Sequence, residues 1–207
     1  MNQRITTHLL NMDIRNVEVL LALHCGPVIA SIKPANLLVL NKDLSKDVRG
    51  MLDQTNLTYM VVLDNTQQDI LFIYNKVLLN AYLTHPEVIE FLKKYGYWQN
   101  GLEEVLSTFQ THYESYNRRA KNFPHEIGVL LGYPLEDVIG FINNKGKNSL
   151  FTGYWKVYEA LPEKLQMFYQ YDVVREDILR LLLHGVCMVE IINSYSTSFV
   201  ANTILTK

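Results

Sequence analysis

Ile14, Val17, Leu20 and Leu21 fall on one helical stripe that His24 continues, and the pattern predicts a helix over residues 13–25 with Asp13 as its cap. Gly26-Pro27 then predicts a break. After Lys33-Pro34, the short apolar run 36–40 reads as a strand and residues 45–54 as a short polar helix. β-Branched and aromatic runs at 57–63 and 69–74 flank the polar residues 64–68 and predict a β-hairpin. Helical periodicity takes over at 77–83, at 86–95 behind Pro86, and at 102–116. Residues 117–122 form a basic connector that contains Arg118, Arg119 and Lys121. Two short helices follow at 124–131 and 134–142, each opened by a proline, and then a turn-rich loop at 143–148. Residues 151–158 alternate as a strand, with Tyr154, Lys156 and Tyr158 on one face, and 163–193 is helical with at most one break, near Gly185.

This order predicts an α+β fold: one domain over residues 1–207, without repeats or linkers. Its sheet is expected to be small and mostly antiparallel, built from the hairpin and the strands at 36 and 151. Helices cover it, and the C-terminal region is long and helical.

Composition narrows the partners. The 207 residues carry 19 basic and 21 acidic side chains, a net charge of −2, which leaves no electrostatic footprint for nucleic acid. The apolar stretches 19–32 and 178–192 are too short to span a bilayer and carry His24 in one and Arg180, His184 and Glu190 in the other. Residues 1–8 lack the basic and apolar regions of a signal peptide, so a cytoplasmic protein with no membrane partner is expected. Its two cysteines, Cys25 and Cys187, then read as reduced thiols. Oligomeric state leaves no trace in the sequence.

Familiar signatures fail on inspection. His125-Glu126 begins like a zinc-protease helix, but Val129 stands at the second histidine position. Residues 140–148 carry glycine and lysine at a spacing one residue too long for a P-loop, with Asn148 in place of the magnesium-binding hydroxyl. No Cys-x-x-Cys pair and no Gly-x-Ser-x-Gly elbow occurs.

Residues 123–138 (FPHEIGVLLGYPLEDV), with Gly140-Phe141-Ile142, Asn144-Lys145-Gly146 and Tyr154-Trp155-Lys156-Val157-Tyr158, form one distinctive block. His24-Cys25-Gly26-Pro27, Ala30, Lys33 and Asn36-Leu37 form a second. Over most of its length the chain resembles the bacterial domain-of-unknown-function family numbered 3793, frequent in anaerobic Firmicutes. The resemblance brings no established activity. Family genes that lie near iron-transport or flavodoxin genes imply iron or haem handling. Two departures weaken an anion clamp or a second redox thiol: Tyr74-Asn75-Lys76 replaces an Arg-Pro pair, and Val174 replaces a common cysteine.

The two blocks hold the candidate chemistry. Cys25 is a candidate nucleophile or soft ligand, and a thiol acts only as thiolate, so it needs a base from another segment. His125, at a helix start, is the expected partner, with Glu126 as a polar orienter. Lys33 is a candidate anion binder; His24, Arg118 and Lys156 complete the candidate ligand-binding set. On this reading Cys25 is the reactive thiol and Cys187 a core residue. Each feature also has a plain structural reading: Cys25 as a small core side chain, His125-Glu126 as a helix start, and the 154–158 strand as core. Three functions stand open. They are a small-molecule enzyme or ligand-binding protein with a Cys25–His125 site, an iron or haem handling protein, and a non-catalytic interaction module. No cofactor or metal is assigned.

Overall fold

Asn16 caps the first helix, α1 (Val17–Ile29), in the computed structural model, which describes residues 16–98, 101–118 and 123–205 and side chains as far as residue 197. The Asn16 side chain accepts from the Glu18 N–H at 2.8 Å, and the expected cap Asp13 lies outside the described residues. α1 runs through Gly26-Pro27, where a break is expected. Pro27 stands in the last turn, where its missing N–H costs a single intrahelical bond. Its carbonyl accepts from the N–H groups of Ile32 and Lys33, both at 3.0 Å, which ends the helix cleanly. Gly26 serves packing: a Cβ there would lie 2.9 Å from Arg175 Cγ, so bare backbone lets the long C-terminal helix approach.

β1 (Ala35–Asn41) leads directly into α2 (Lys42–Leu52), whose cap Asn41 accepts from the Leu44 N–H at 2.9 Å. β2 (Thr58–Asp64) and β3 (Gln68–Tyr74) form the expected hairpin; Asn65 Oδ1 closes its loop by accepting from the Gln67 and Gln68 N–H groups. The antiparallel sheet has the order β1-β3-β2, with Leu37 opposite Phe72 and Leu38 opposite Leu71. A register shift between Val61 and Leu63 marks a bulge in β2.

Strand alternation sends side chains to two separate cores. Leu38, Leu40, Leu71 and Ile73 face α1, α2 and the helices α8 and α9 described below. Leu37, Ile70, Phe72 and Tyr74 face the other way. That second face is covered by α3 (Lys76–Leu83), α4 (Pro86–Lys93), α5 (Leu102–Asn117) and the short turn α6 (Ile127–Leu130), with α7 (Leu135–Asn143) behind it. Buried Asp69 pins α2 to the sheet, accepting from Ser45 Oγ at 2.6 Å and pairing with Lys42. The expected α+β class holds, as three layers of helix, sheet and helix.

The strand expected at 151–158 does not join this sheet. The chain turns back at residues 153–155, so β4 (Phe151–Thr152) pairs antiparallel with β5 (Lys156–Val157) as a separate small ladder. Gly153 lets Phe168 pack onto this turn: a Cβ there would lie 2.4 Å from Phe168 Cε2. α8 (Leu161–Leu183) and α9 (Met188–Leu205) follow, separated at the one break allowed for, near Gly185, which adopts φ +84°.

Candidate functional site

Close backbone approach builds the site. A Cβ at Gly128 would lie 2.9 Å from Val138 Cγ2, so α6 and α7 touch, and a Cβ at Gly140 would lie 2.6 Å from the Tyr158 side chain, so α7 meets the β4–β5 ladder. Asp137, buried on α7, ties that ladder down. Its carboxylate accepts from Trp155 Nε1 and the Tyr158 N–H, both at 2.7 Å, and from the Glu159 N–H at 3.3 Å. Trp155 then stacks on Tyr133 with ring centroids 5.0 Å apart.

Between these elements and β1 lies a cavity of about 360 Å³. Leu37, Leu131 and Val138 contribute apolar surface, and Tyr113, Tyr133 and Trp155 contribute rings. Its polar side chains besides the tyrosines are His125, Asp137 and Lys156. His125 is exposed as a residue; its ring packs 5.6 Å from Phe123 and 5.5 Å from Phe141. Lys156 Nζ donates to the Gly146 carbonyl at 2.6 Å and stands 5.9 Å from the Phe141 centroid. Two of the expected site residues, His125 and Lys156, therefore line the cavity and pack against one ring, Phe141.

The others lie elsewhere. Cys25 is wholly buried on the opposite face of the sheet, among the side chains that pack on Leu38 and Leu71. Burial pushes its thiol up to about 12, against the weaker opposing pull of Lys33 and a hydrogen bond with Asn36. At neutral pH this is a protonated core thiol, and the sheet keeps it from His125. The expected Cys25–His125 pairing does not form. Glu126 does not orient His125 either. Its buried carboxylate turns to α5, where Oε1 meets His112 Nδ1 at 2.9 Å and accepts from the Tyr97 hydroxyl at 3.4 Å.

Lys33 sits with Cys25. It is buried, donates to Asn36 Oδ1 at 2.9 Å, and burial pushes its ammonium down to about 8. Exposed His24 contributes only its carbonyl, which accepts from Asn36 Nδ2 at 2.6 Å. Arg118 is exposed, pairs with Glu114 at 3.5 Å and borders a different groove, near Asn65 and Gln110. Arg119 and Lys121 lie outside the described residues. Cys187, expected in the core, is exposed in the α8–α9 break.

The two sequence blocks nevertheless touch, at residues not expected to join them. Lys33 Nζ stands 5.3 Å over the Tyr133 ring. A Cβ at Gly132, which adopts φ +74°, would lie 2.1 Å from Pro34 Cγ. Sequence reasoning also missed His112 and Asp137. His112 carries no local signal, and an aspartate in a first helical turn, as Asp137 is, does not differ in sequence from ordinary favourable charge.

Among the described residues, no group of three or more His, Cys, Asp and Glu side chains is placed to hold a metal ion, and no helix is long and apolar enough to cross a membrane. No curated protein and no solved structure matches the chain. A family model does match, over residues 21–192, a span that takes in both sequence blocks and every wall of the cavity. The chain belongs to that family, described as Protein of unknown function (DUF3793).

Proposed function

We propose that this protein binds a small, largely apolar molecule in the cavity that His125 and Lys156 border. The carrying observation is the cavity itself. At about 360 Å³ it holds a small-molecule ligand, and it is walled by rings and aliphatic side chains with few polar groups. Binding is favoured over catalysis because the candidate nucleophile, Cys25, packs on the other face of the sheet as a protonated thiol. Iron or haem handling draws no comparable support: among the described residues no group of three or more His, Cys, Asp and Glu side chains is placed to hold a metal ion.

The test uses the neutral dye N-phenyl-1-naphthylamine. Trp155 lines the cavity, and the chain's other tryptophan, Trp98, is exposed, so a Trp98→Phe background makes Trp155 the sole indole reporter. Saturable dye enhancement with energy transfer from Trp155, abolished by Val138→Phe in a variant that keeps its circular dichroism, is the expected result. Absence of saturable binding, or binding untouched by Val138→Phe, overturns the reading.

A further inference from the structure

Resting on the reading that the cavity binds a small molecule, we infer that its ligand is a flat aromatic anion, with rings against Trp155 and Tyr133 and a carboxylate-like group between Lys156 and His125. Hydrogen-bonding capacity carries the argument. Among the described residues Asp137 is the only carboxylate in the lining of this cavity, and three donors already occupy its oxygens. It offers a ligand little acceptor capacity. Donors, in contrast, are left over. An ammonium has three N–H groups, and the Gly146 carbonyl takes one from Lys156. Among the described residues the His125 ring nitrogens meet no hydrogen-bond partner, and an imidazole carries at least one N–H in either charge state. Burial raises the Tyr113 and Tyr133 hydroxyls above their ordinary value, so both remain neutral donors.

Position agrees with count. The His125 ring and Lys156 Nζ lie 5.5 Å and 5.9 Å from the same Phe141 centroid, so both candidate partners of a charged tip stand beside Phe141. The stacked Tyr133 and Trp155 rings both line the cavity, and a planar ring packs against them there. A molecule that satisfies both is apolar and flat along most of its length and rich in acceptors at its tip. A cationic tip would instead meet Lys156 with no free carboxylate to receive it.

The test displaces N-phenyl-1-naphthylamine with three naphthalenes that differ only in the tip: 2-naphthoate, 2-naphthol and 2-naphthylmethylamine. The expected order places 2-naphthoate at least about tenfold tighter than the other two, the worth of a charge-assisted hydrogen bond. Lys156→Met brings the three to within about twofold of one another, each read against the same variant's own dye affinity, and Lys156→Arg restores the preference for the anion. Equal displacement by all three, or preference for the amine, overturns the anion assignment and leaves the cavity reading standing. Failure of the dye itself to bind overturns the cavity reading instead.

Discussion

Burial and exposure sort the two cysteines in the reverse of the order their neighbours suggest. Cys25 follows a histidine and precedes Gly-Pro, yet it is sealed in the core with its thiol pushed up to about 12. Cys187 lies in an apolar run, yet Gly185 at φ +84° ends α8 and leaves it exposed in the break. Iodoacetamide at pH 7.5 is therefore expected to modify Cys187 in the native protein and Cys25 only in urea, read by peptide mass spectrometry. Native modification of Cys25 ahead of Cys187 would contradict the placement. Periodicity could not reveal this, because residues 178–192 keep an apolar rhythm across a break that one backbone angle creates.

Lys33 has a signature of its own. Its ammonium falls from an ordinary 10.5 to about 8 because burial disfavours the charge. Between about pH 8 and 10.5 the unfolded chain binds a proton there that the folded chain has shed, so stability rises with pH. Cys25 acts oppositely from 9.0 to about 12, where the folded thiol keeps a proton that the unfolded chain loses. The Lys33 contribution is thus clearest from pH 8 to 9, where urea unfolding is expected to show a gain of about 1 kcal/mol. Lys33→Met is expected to abolish that gain; an unchanged slope in the variant counts against the burial argument.

At the scale of elements, the helices and the hairpin were legible because each repeats its signal over several turns or alternations. The β4–β5 ladder was not. Tyr154-Trp155-Lys156-Val157-Tyr158 alternates like a strand, but Tyr154 and Trp155 lie in a turn on which Phe168 packs against Gly153. What holds this ladder on α7 is one carboxylate, which no local pattern announces. Asp137→Ala removes the acceptor of the buried Trp155 Nε1–H and of the Tyr158 N–H, and each orphaned donor costs about 1–3 kcal/mol. The expected outcome is a loss of at least about 2 kcal/mol in urea unfolding, a red-shifted Trp155 emission and weakened dye binding. Asp137→Asn keeps one carbonyl acceptor and is expected to lose less. If alanine matches asparagine in all three measurements, the ladder is held by packing rather than by this carboxylate.

For the molecule as a whole, the decisive fact is that β1 serves both cores. Leu37 faces the cavity that His125 lines, and Leu38 faces the layer that holds Cys25. The sequence marked both neighbourhoods as unusual, and two of its candidates, His125 and Lys156, border the cavity. The inference that the neighbourhoods form one site failed because proximity to a shared strand does not say which face. Where the blocks do meet, they meet through Lys33 over Tyr133 and Pro34 against Gly132. Double-mutant cycles separate the two arrangements. Groups that share no partner across a sheet add, so Cys25→Ala and His125→Ala are expected to combine to within about 0.5 kcal/mol of their sum. A buried cation over a ring couples, so Lys33→Met and Tyr133→Leu are expected to show an interaction of about 1 kcal/mol. The same asymmetry extends to ligand binding: Cys25→Ala leaves dye affinity unchanged, whereas Tyr133→Leu weakens it by removing half of the stacked pair. Strong coupling between Cys25 and His125 would mean that the sheet transmits between its faces, and a single site spanning the two blocks would have to be reconsidered.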